Sequence, residues 1–267
     1  MPARRDTALL EAEREGEGAI ASDAMTSPKL VLALGRGRTG KSTFIRWAAE
    51  AALERGAEPI IADGDRTNAT LAAFFDNVTR PDSPEDEDVR LWLNAFVDRQ
   101  IDHRFSAFID LGGGDLILKT WARDLQLAPF LEQHGVVPVA IHFLGSELDD
   151  LAYLRDIEDS ARFQPQKTVI VLNEGLVPTG RVARSAFGPI IDHEVFRKVL
   201  DRGAVVVRMP MLACMHEIER RRLSFADAEA GLVKPGQDRI GPVNRQLIAI
   251  WRREMSSAFA NIAQWMP

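Results

Sequence analysis

Hydrophobic residues in this chain of 267 residues gather in short continuous runs, with longer stretches of helical spacing between them. The runs cover residues 30–34, 59–62, 107–111, 136–143, 168–172 and 204–209. Amphipathic helices are predicted at residues 41–55, 116–134, 148–160 and 193–202. Strands that are apolar throughout are buried on both faces. The alternation therefore predicts an α/β fold with three layers, in which a mostly parallel sheet is covered by helices on both faces.

The ends of the chain differ from this pattern. Residues 1–27 carry many charges and no sustained apolar period, so we expect a poorly ordered tail followed by a single domain at 28–267. Residues 81–88 (PDSPEDED) are acidic and marked by proline, which predicts a solvated surface loop. Residues 243–265 place apolar side chains three or four positions apart, as in an amphipathic helix. We expect that helix to pack on the sheet or on a partner subunit rather than on a membrane, because no basic residue follows Arg253 to attract anionic lipid.

A glycine-rich motif follows the first predicted strand and opens the first predicted helix. It has the form G-x-x-x-x-G-K-[ST], in which glycines let backbone N–H groups surround a triphosphate at a helix N-terminus. In this pattern Lys41 reaches the outer phosphates and the Ser42 hydroxyl binds Mg²⁺. The motif predicts a P-loop NTPase fold that binds a nucleoside triphosphate and Mg²⁺. Residues 173–176 (NEGL) lack the N-K-x-D pattern of proteins that bind guanine, which favours ATP as that nucleotide. The residues expected to contact the nucleotide here are Gly35, Gly37, Arg38, Thr39, Gly40, Lys41, Ser42 and Thr43.

Carboxylates follow two other predicted strands. Asp63 and Asp65 end the second strand, and Asp110 ends the third. Because ligands of parallel sheets bind at the carboxyl ends of the strands, these oxygens are candidates for coordinating Mg²⁺ and orienting the attacking water. The alternative for Asp65 is to cap a helix starting near Thr67. The glycines at 112–114 are either a loose turn or a close backbone approach to phosphate.

In this order the motifs resemble the ParA/MinD group of deviant-Walker ATPases, in particular ParA-like proteins of plasmid partition, mobilisation and conjugal transfer. The resemblance covers residues 29–211. It implies that Asp65 positions the hydrolytic water and that Asp63 supports the metal site. It further implies that Asp110 acts on Mg²⁺ through water and that Gly113 senses the outermost phosphate.

The same resemblance implies contacts to the base and to a second subunit. Asn173 corresponds to an adenine-contacting Asn, although a plain turn residue at a strand end is an equal alternative, and Pro210 would flank the base. In the family the loop reads K-G-G-x-G-K-[ST], and its first Lys reaches the phosphates of the partner in a dimer. Arg36 stands at that position in this chain. It is a candidate catalytic residue beside Lys41 and Asp65. This chain's preference for Arg over Lys is an alternative reason for arginine at that position.

Two further departures from the family affect these roles. Arg38 replaces a glycine, which requires either an altered backbone or an outward side chain. The family's D-x-D-P-Q-x-N segment is here D-x-D-R-T-N, one residue shorter and without proline.

Composition and charge bear on the compartment in which the protein acts and on its partners. The net charge is −6, there is one cysteine (Cys214), and neither a membrane-spanning stretch nor a signal sequence is recognisable, which together favour a cytoplasmic protein. Basic residues nevertheless cluster in the C-terminal half, and such surfaces bind DNA non-specifically in partition proteins. The alternative is that they form ion pairs with nearby acids. The clusters are Arg181 and Arg184, then Arg197, Lys198 and Arg202, then Arg220, Arg221 and Arg222, then Arg252 and Arg253.

The leading hypothesis is therefore an ATP-binding, slowly hydrolysing switch protein that forms a homodimer on ATP. Its partner would be non-specific DNA or a transfer or partition protein, with no membrane involved. A P-loop kinase acting on a small molecule or polynucleotide is one alternative. A nucleotide-binding regulator with negligible turnover is the other.

Overall fold

The computed structural model describes residues 27–65, 70–112, 116–159 and 163–267. The tail predicted for residues 1–27 lies outside this part of the chain, apart from its last residue. In the described part, a seven-stranded parallel sheet has the strand order β3-β2-β4-β1-β5-β6-β7. The strands are β1 (Lys29–Leu34), β2 (Ile60–Asp63), β3 (Val78–Thr79), β4 (Ala107–Asp110), β5 (Val137–Leu144), β6 (Lys167–Asn173) and β7 (Val205–Met209).

Helices cover both faces of this sheet. They are α1 (Lys41–Glu54), α2 (Asp86–His103), α3 (Leu116–Asp124), α4 (Leu127–Gln133), α5 (Leu151–Asp159), α6 (Ala183–Ala186), α7 (Gly188–Ile191), α8 (Glu194–Asp201), α9 (Met215–Arg221), α10 (Phe225–Ala230) and α11 (Pro242–Ala258). Short 3₁₀ helices lie at Leu71–Ala73, Leu148–Asp150, Glu174–Leu176 and Ala260–Trp265.

Side-chain alternation along β1 shows how the layers divide. Val31 and Ala33 point into a core formed with α1 and the C-terminal helices α9–α11. Leu30 and Leu32 point to the opposite face, into a core formed with α2–α5. Since both faces of the central strand are buried, its sequence is apolar at every position after Lys29. The predicted three-layer α/β fold is confirmed.

The boundaries of several elements differ from the sequence prediction. The two-residue strand β3 has too little sequence to show a period, and it was not predicted. The prediction of a loop at residues 81–88 is wrong for residues 86–88, because α2 begins at Asp86 and these three acidic residues form its first turn. Negative charge is favourable there, next to the positive end of the helix dipole. The helix predicted at 116–134 is two helices, α3 and α4, separated by Gln126 in a left-handed conformation (φ 49°).

The C-terminal amphipathic helix packs as expected. Ile248, Trp251 and Met255 of α11 are buried in the core that contains Val31 and Ala33. The helix ends at Ala258, and the chain continues as the 3₁₀ helix Ala260–Trp265. Of the two alternatives, packing on the sheet or on a partner subunit, the structure shows the first.

Candidate functional site

The loop between β1 and α1 depends on two of its glycines. Gly35 has φ 144°, and a Cβ there would lie 2.7 Å from the Phe143 carbonyl oxygen. Gly40 has φ 101°, and a Cβ there would lie 2.5 Å from the amide nitrogen of Asn173. Both the backbone conformation and the available space therefore require glycine. At Gly37, by contrast, a Cβ would have no atom within 4 Å.

The polar residues of the loop fold back on its backbone. The Thr39 hydroxyl donates to the Arg36 carbonyl at 2.8 Å, and Thr39 is buried, whereas Thr43 is half-buried. Lys41 Nζ donates to the carbonyls of Gly35 and Arg36 at 3.3 and 3.0 Å. Burial lowers the pKa of Lys41, while the negative charges of Asp110 and Asp65 raise it. A cation held over a loop at the N-terminus of a helix forms a site suited to phosphate.

The two arginines of the loop are both exposed. Arg38 stands where the family has glycine, and it adopts the left-handed conformation with φ 64° while its side chain points outward into solvent. Arg36 Nη1 lies 3.3 Å from Asp150 Oδ1, in the 3₁₀ helix after β5. The Arg36 side chain keeps 48% of its surface exposed in this ion pair.

The carboxylates of the two neighbouring strands β2 and β4 lie side by side. Asp63 and Asp110 are partners in the β2–β4 register, and both are buried. Ser42 Oγ donates to Asp110 Oδ2 at 2.5 Å, so the hydroxyl at the end of the loop is in direct contact with the carboxylate at the end of β4. Burial raises the pKa of Asp110 to about 6, against the opposing effects of the Ser42 hydrogen bond and the Lys41 charge. A cation near this pair would favour the ionised form.

Asp63 organises the chain that follows β2. Its Oδ1 accepts from the Asp65 N–H at 3.1 Å, and its Oδ2 accepts from the Leu71 N–H at 3.2 Å. Burial raises the pKa of Asp63, and these two hydrogen bonds lower it. Asp65 lies beside the end of β4, because a Cβ on Gly112 would be 3.3 Å from Asp65 Oδ1.

Some of the expected roles fall outside the described residues. Gly113 belongs to this group, and so does the start of the helix near Thr67 that Asp65 would cap in the alternative interpretation. Within the described ranges, no three His, Cys, Asp or Glu side chains converge on a metal site. Mg²⁺ usually binds through one or two carboxylates together with substrate phosphates and water, and Asp63 and Asp110 are two adjacent carboxylates.

Asn173 joins the end of β6 to the loop. Its Nδ2 donates to the Thr39 carbonyl at 2.9 Å, and its Oδ1 accepts from the Gly175 N–H at 2.9 Å. The side chain therefore supports the loop and caps a turn at once, and its contact with adenine stays a prediction. Pro210 lies just after β7, where its carbonyl accepts from Trp251 Nε1 at 2.9 Å.

Sequence reasoning missed Asp150 and the support that Asn173 gives to the loop. The ends of the other strands were searched for polar residues, but the end of β5 was not, and Asp150 lies six residues beyond Leu144. Glu147 and Asp149 come before Asp150 after this strand, so no local rule singles out Asp150 or its partner, Arg36.

The basic clusters of the C-terminal half are largely engaged with acids. The ion pairs are Arg181–Glu147, Arg197–Asp192, Lys198–Asp159, Arg202–Glu158, Arg220–Glu217, Arg221–Glu217, Arg252–Glu54 and Arg252–Glu229. This is the arrangement expected of paired charges rather than of a surface kept open for nucleic acid.

Comparison with known proteins gives likenesses of fold. No protein-family model and no curated protein matches the sequence. FtsY from Mycoplasma mycoides is similar over 68% of this chain and 60% of that chain, with 15% identity and a TM-score of 0.43. Chloroplast FtsY from Physcomitrella patens is similar over 68% of this chain and 58% of that chain, with 18% identity and a TM-score of 0.44. The chain thus spans about three fifths of either FtsY chain.

A MinC:MinD cell division protein complex from Aquifex aeolicus is similar over 86% of this chain and 96% of that chain, with 12% identity and a TM-score of 0.47. Overlaps of this size do not assign a function, since one fold serves many. In the part of the chain that the structure describes, no helix has the length and apolar character needed to cross a membrane.

Proposed function

We propose that this protein is a switch ATPase that binds Mg²⁺–ATP at the loop before α1, forms a homodimer in that state and hydrolyses the nucleotide slowly. The observation that carries the proposal is the meeting of Ser42 with Asp110, beside the buried Asp63, at the mouth of a glycine-dependent loop. Phosphoryl transfer from a triphosphate requires hydrogen-bond donors that bind the phosphates, a hydroxyl and carboxylates for the metal ion, and a group that orients the attacking water.

Each residue has a stated part in this proposal. The N–H groups at the start of α1 and the Lys41 ammonium bind the phosphates, for which Lys41 exchanges its loop carbonyls for phosphate oxygens. Ser42 and Asp110 would hold Mg²⁺, Asp110 through water, with Asp63 in support; the ion supplies charge neutralisation at the phosphates. Asp65 orients the attacking water.

Arg36 is the residue proposed to connect two subunits. In the monomer it is paired with Asp150 and half exposed, so its guanidinium can exchange that carboxylate for a partner's phosphate and stay paired, while Asp150, whose side chain is 12% exposed, gives up this ion pair. Because guanidinium binds phosphate in a bidentate manner, arginine suits this role, although its geometry differs from that of lysine. The motif resemblance supports plasmid partition, mobilisation or conjugal transfer as the process. The ion-paired basic clusters favour a protein partner over DNA.

The proposal is tested by measuring the molar mass of the full chain in solution with Mg²⁺ and either ATP or ADP. We expect a dimer with ATP, a monomer with ADP, and a stable ATP dimer for Asp65→Ala, which cannot complete hydrolysis. Arg36→Ala should bind ATP but remain monomeric, while Asp150→Asn, which frees Arg36, should still dimerise.

Other outcomes identify the rival functions. A monomer in every nucleotide state contradicts the switch. Phosphate transfer that needs an added acceptor would indicate a kinase, and tight binding without phosphate release would indicate a regulator.

A further inference from the structure

One face of α1 carries polar side chains spaced by one helical turn: Ser42, Arg46 and Glu50. Ser42 belongs to the nucleotide site. Arg46 and Glu50 lie deeper, with only 2% and 8% of their surfaces exposed. Charges are rarely buried to this extent without specific partners. The contacts of Arg46 and Glu50 therefore show which parts of the chain pack against this face of α1.

Arg46 lies between two aromatic rings from distant parts of the chain. Its guanidinium carbon is 3.4 Å from the ring centroid of Phe74 and 4.7 Å from that of Phe225. Its Nη2 also donates to the Leu223 carbonyl at 3.3 Å. The stack thus joins α1 to the segment after β2 and to the C-terminal helices.

The Phe74 side of the stack leads to the strand-end carboxylates. Phe74 follows the 3₁₀ helix Leu71–Ala73, and its N–H donates to the Leu71 carbonyl at 2.9 Å. The Leu71 N–H is the donor that holds Asp63 Oδ2. Arg46 therefore fixes, through Phe74, the short segment that holds the Asp63 carboxylate in place.

The Phe225 side leads to the C-terminal helices. Glu50 Oε2 accepts from the N–H groups of Phe225 and Ala226 at 2.7 and 3.3 Å. The Phe225 ring packs on Trp251 with centroids 4.8 Å apart. Arg46 therefore lies between the packed C-terminal helices on one side and Phe74 of the segment at 71–75 on the other.

We infer that Arg46 is a positioning residue for triphosphate recognition: its stack on Phe74 holds the Leu71–Phe75 segment and with it Asp63, whose side chain positions Asp65 beside the outermost phosphate. The inference rests on the proposed function, in which Asp63 supports the metal and Asp65 orients the water that attacks that phosphate. A diphosphate uses the metal ligands but lacks the outermost phosphate that Asp65 serves. Loosening the stack should therefore weaken triphosphate binding more than diphosphate binding, because only the triphosphate depends on the position of Asp65.

The test compares the affinities of the full chain for a non-hydrolysable ATP analogue and for ADP, both with Mg²⁺. In Arg46→Met and in Phe74→Leu, we expect the ratio of the two affinities to fall about fivefold or more, the usual lower range of coupling between sites. Arg46→Lys, which keeps the charge, should recover part of the ratio. The double variant should lose no more than either single variant, because both remove the same contact. Arg55→Met is the matched control, since Arg55 is an exposed arginine just after α1 that donates to the Pro267 carbonyl.

The outcomes are separable. Equal losses for the two nucleotides would reduce Arg46 to a stability residue and overturn the inference. If Arg46→Met fails to fold, Phe74→Leu decides alone, because Phe74 is only half-buried. A wild-type chain that binds the nucleotides, with an unchanged ratio in the variants, overturns this inference and leaves the proposed function standing. A wild-type chain that binds neither nucleotide overturns both.

Discussion

His142 lies within β5 with 1% of its surface exposed, and neither ring nitrogen has a hydrogen-bond partner among the described residues. Burial, followed by the positive charge of Arg202, lowers the pKa of His142 from 6.5 to about 3. The folded protein therefore keeps this ring neutral where the unfolded chain protonates it. Stability from this residue is complete above pH 6.5 and is lost as the pH falls towards 3.

We expect His142→Leu to remove this acid sensitivity. The free energy of unfolding of the variant minus that of wild type should be about 2 kcal/mol larger at pH 5 than at pH 8. The reason is that a buried leucine has no proton to gain when the chain unfolds. Urea unfolding monitored at both pH values measures the difference. His103→Gln, at an exposed position, is the control and should follow wild type. Parallel pH profiles for wild type and His142→Leu would contradict the prediction.

Gly40 and Gly37 give a second residue-scale prediction, because the same substitution meets different surroundings. Gly40→Ala places a methyl group 2.5 Å from the Asn173 amide nitrogen at a left-handed φ. We expect it to lower the free energy of unfolding by about 1–3 kcal/mol, since strain and a displaced hydrogen bond add. Gly37→Ala enters open space and should be close to neutral in the same thermal or urea unfolding measurement. Equal losses at the two positions would show that the loop is not packed against Asn173 as described.

At the scale of elements, helix α1 connects the loop to the C-terminal helices through Glu50. Burial raises the pKa of Glu50 from 4.5 to about 7, while the N–H groups of Phe225 and Ala226 and the charge of Arg46 lower it. The protonated form is therefore favoured in the folded state. Stability from this group is complete below pH 4.5 and is lost as the pH rises through 7.

Replacing Glu50 with glutamine should remove this loss. Between pH 5 and 8, we expect the stability of Glu50→Gln to rise relative to wild type by about 2–3 kcal/mol, because the amide accepts from the Phe225 N–H without carrying a charge. Denaturant unfolding across that range measures the change. Glu58→Gln, at an exposed position after α1, should show no such trend. A constant difference between Glu50→Gln and wild type would mean that the carboxylate is already compensated.

Elements with a strong local signal were predictable from sequence. The apolar strands β1, β4, β5 and β6 were placed within about two residues because each is apolar along most of its length and buried on both faces. The helix α2 was missed because its first turn, Asp86–Asp88, is acidic and follows two prolines, which hides the apolar positions that begin at Val89.

Within the site, the parts encoded in consecutive residues were predictable and the contacts between distant parts were not. The glycines of the loop and the strand-end carboxylates Asp63 and Asp110 follow from local rules. The pairing of Arg36 with Asp150, and of Asn173 with Thr39, depends on which strand ends become neighbours in the sheet. That order is a property of the whole fold, and one chain pattern is compatible with several orders.

At the scale of the whole molecule, His142 and Glu50 lie on opposite faces of the sheet. The side chains of β5 that flank His142 on its own face, Ala140 and Leu144, pack with α4, α5 and α8, whereas Glu50 belongs to α1 on the other face. Sites so separated contribute independently to stability. Their pH dependences have opposite signs and overlap between pH 4.5 and 6.5, where His142 gains stability with rising pH and Glu50 loses it.

These two trends should offset each other in the wild-type chain. Over that window each is worth about 2 kcal/mol, so their sum is nearly constant. We therefore expect His142→Leu to lose stability steeply as the pH rises from 4.5 to 6.5, and Glu50→Gln to gain it. The double variant should run parallel to wild type. Asp63 and Asp110, whose pKa values are also raised by burial, are present in all four proteins, so their contributions cancel in the comparison. Denaturant unfolding of the four proteins at several pH values decides the matter: a double variant that is not parallel to wild type would show that the two faces of the sheet are coupled.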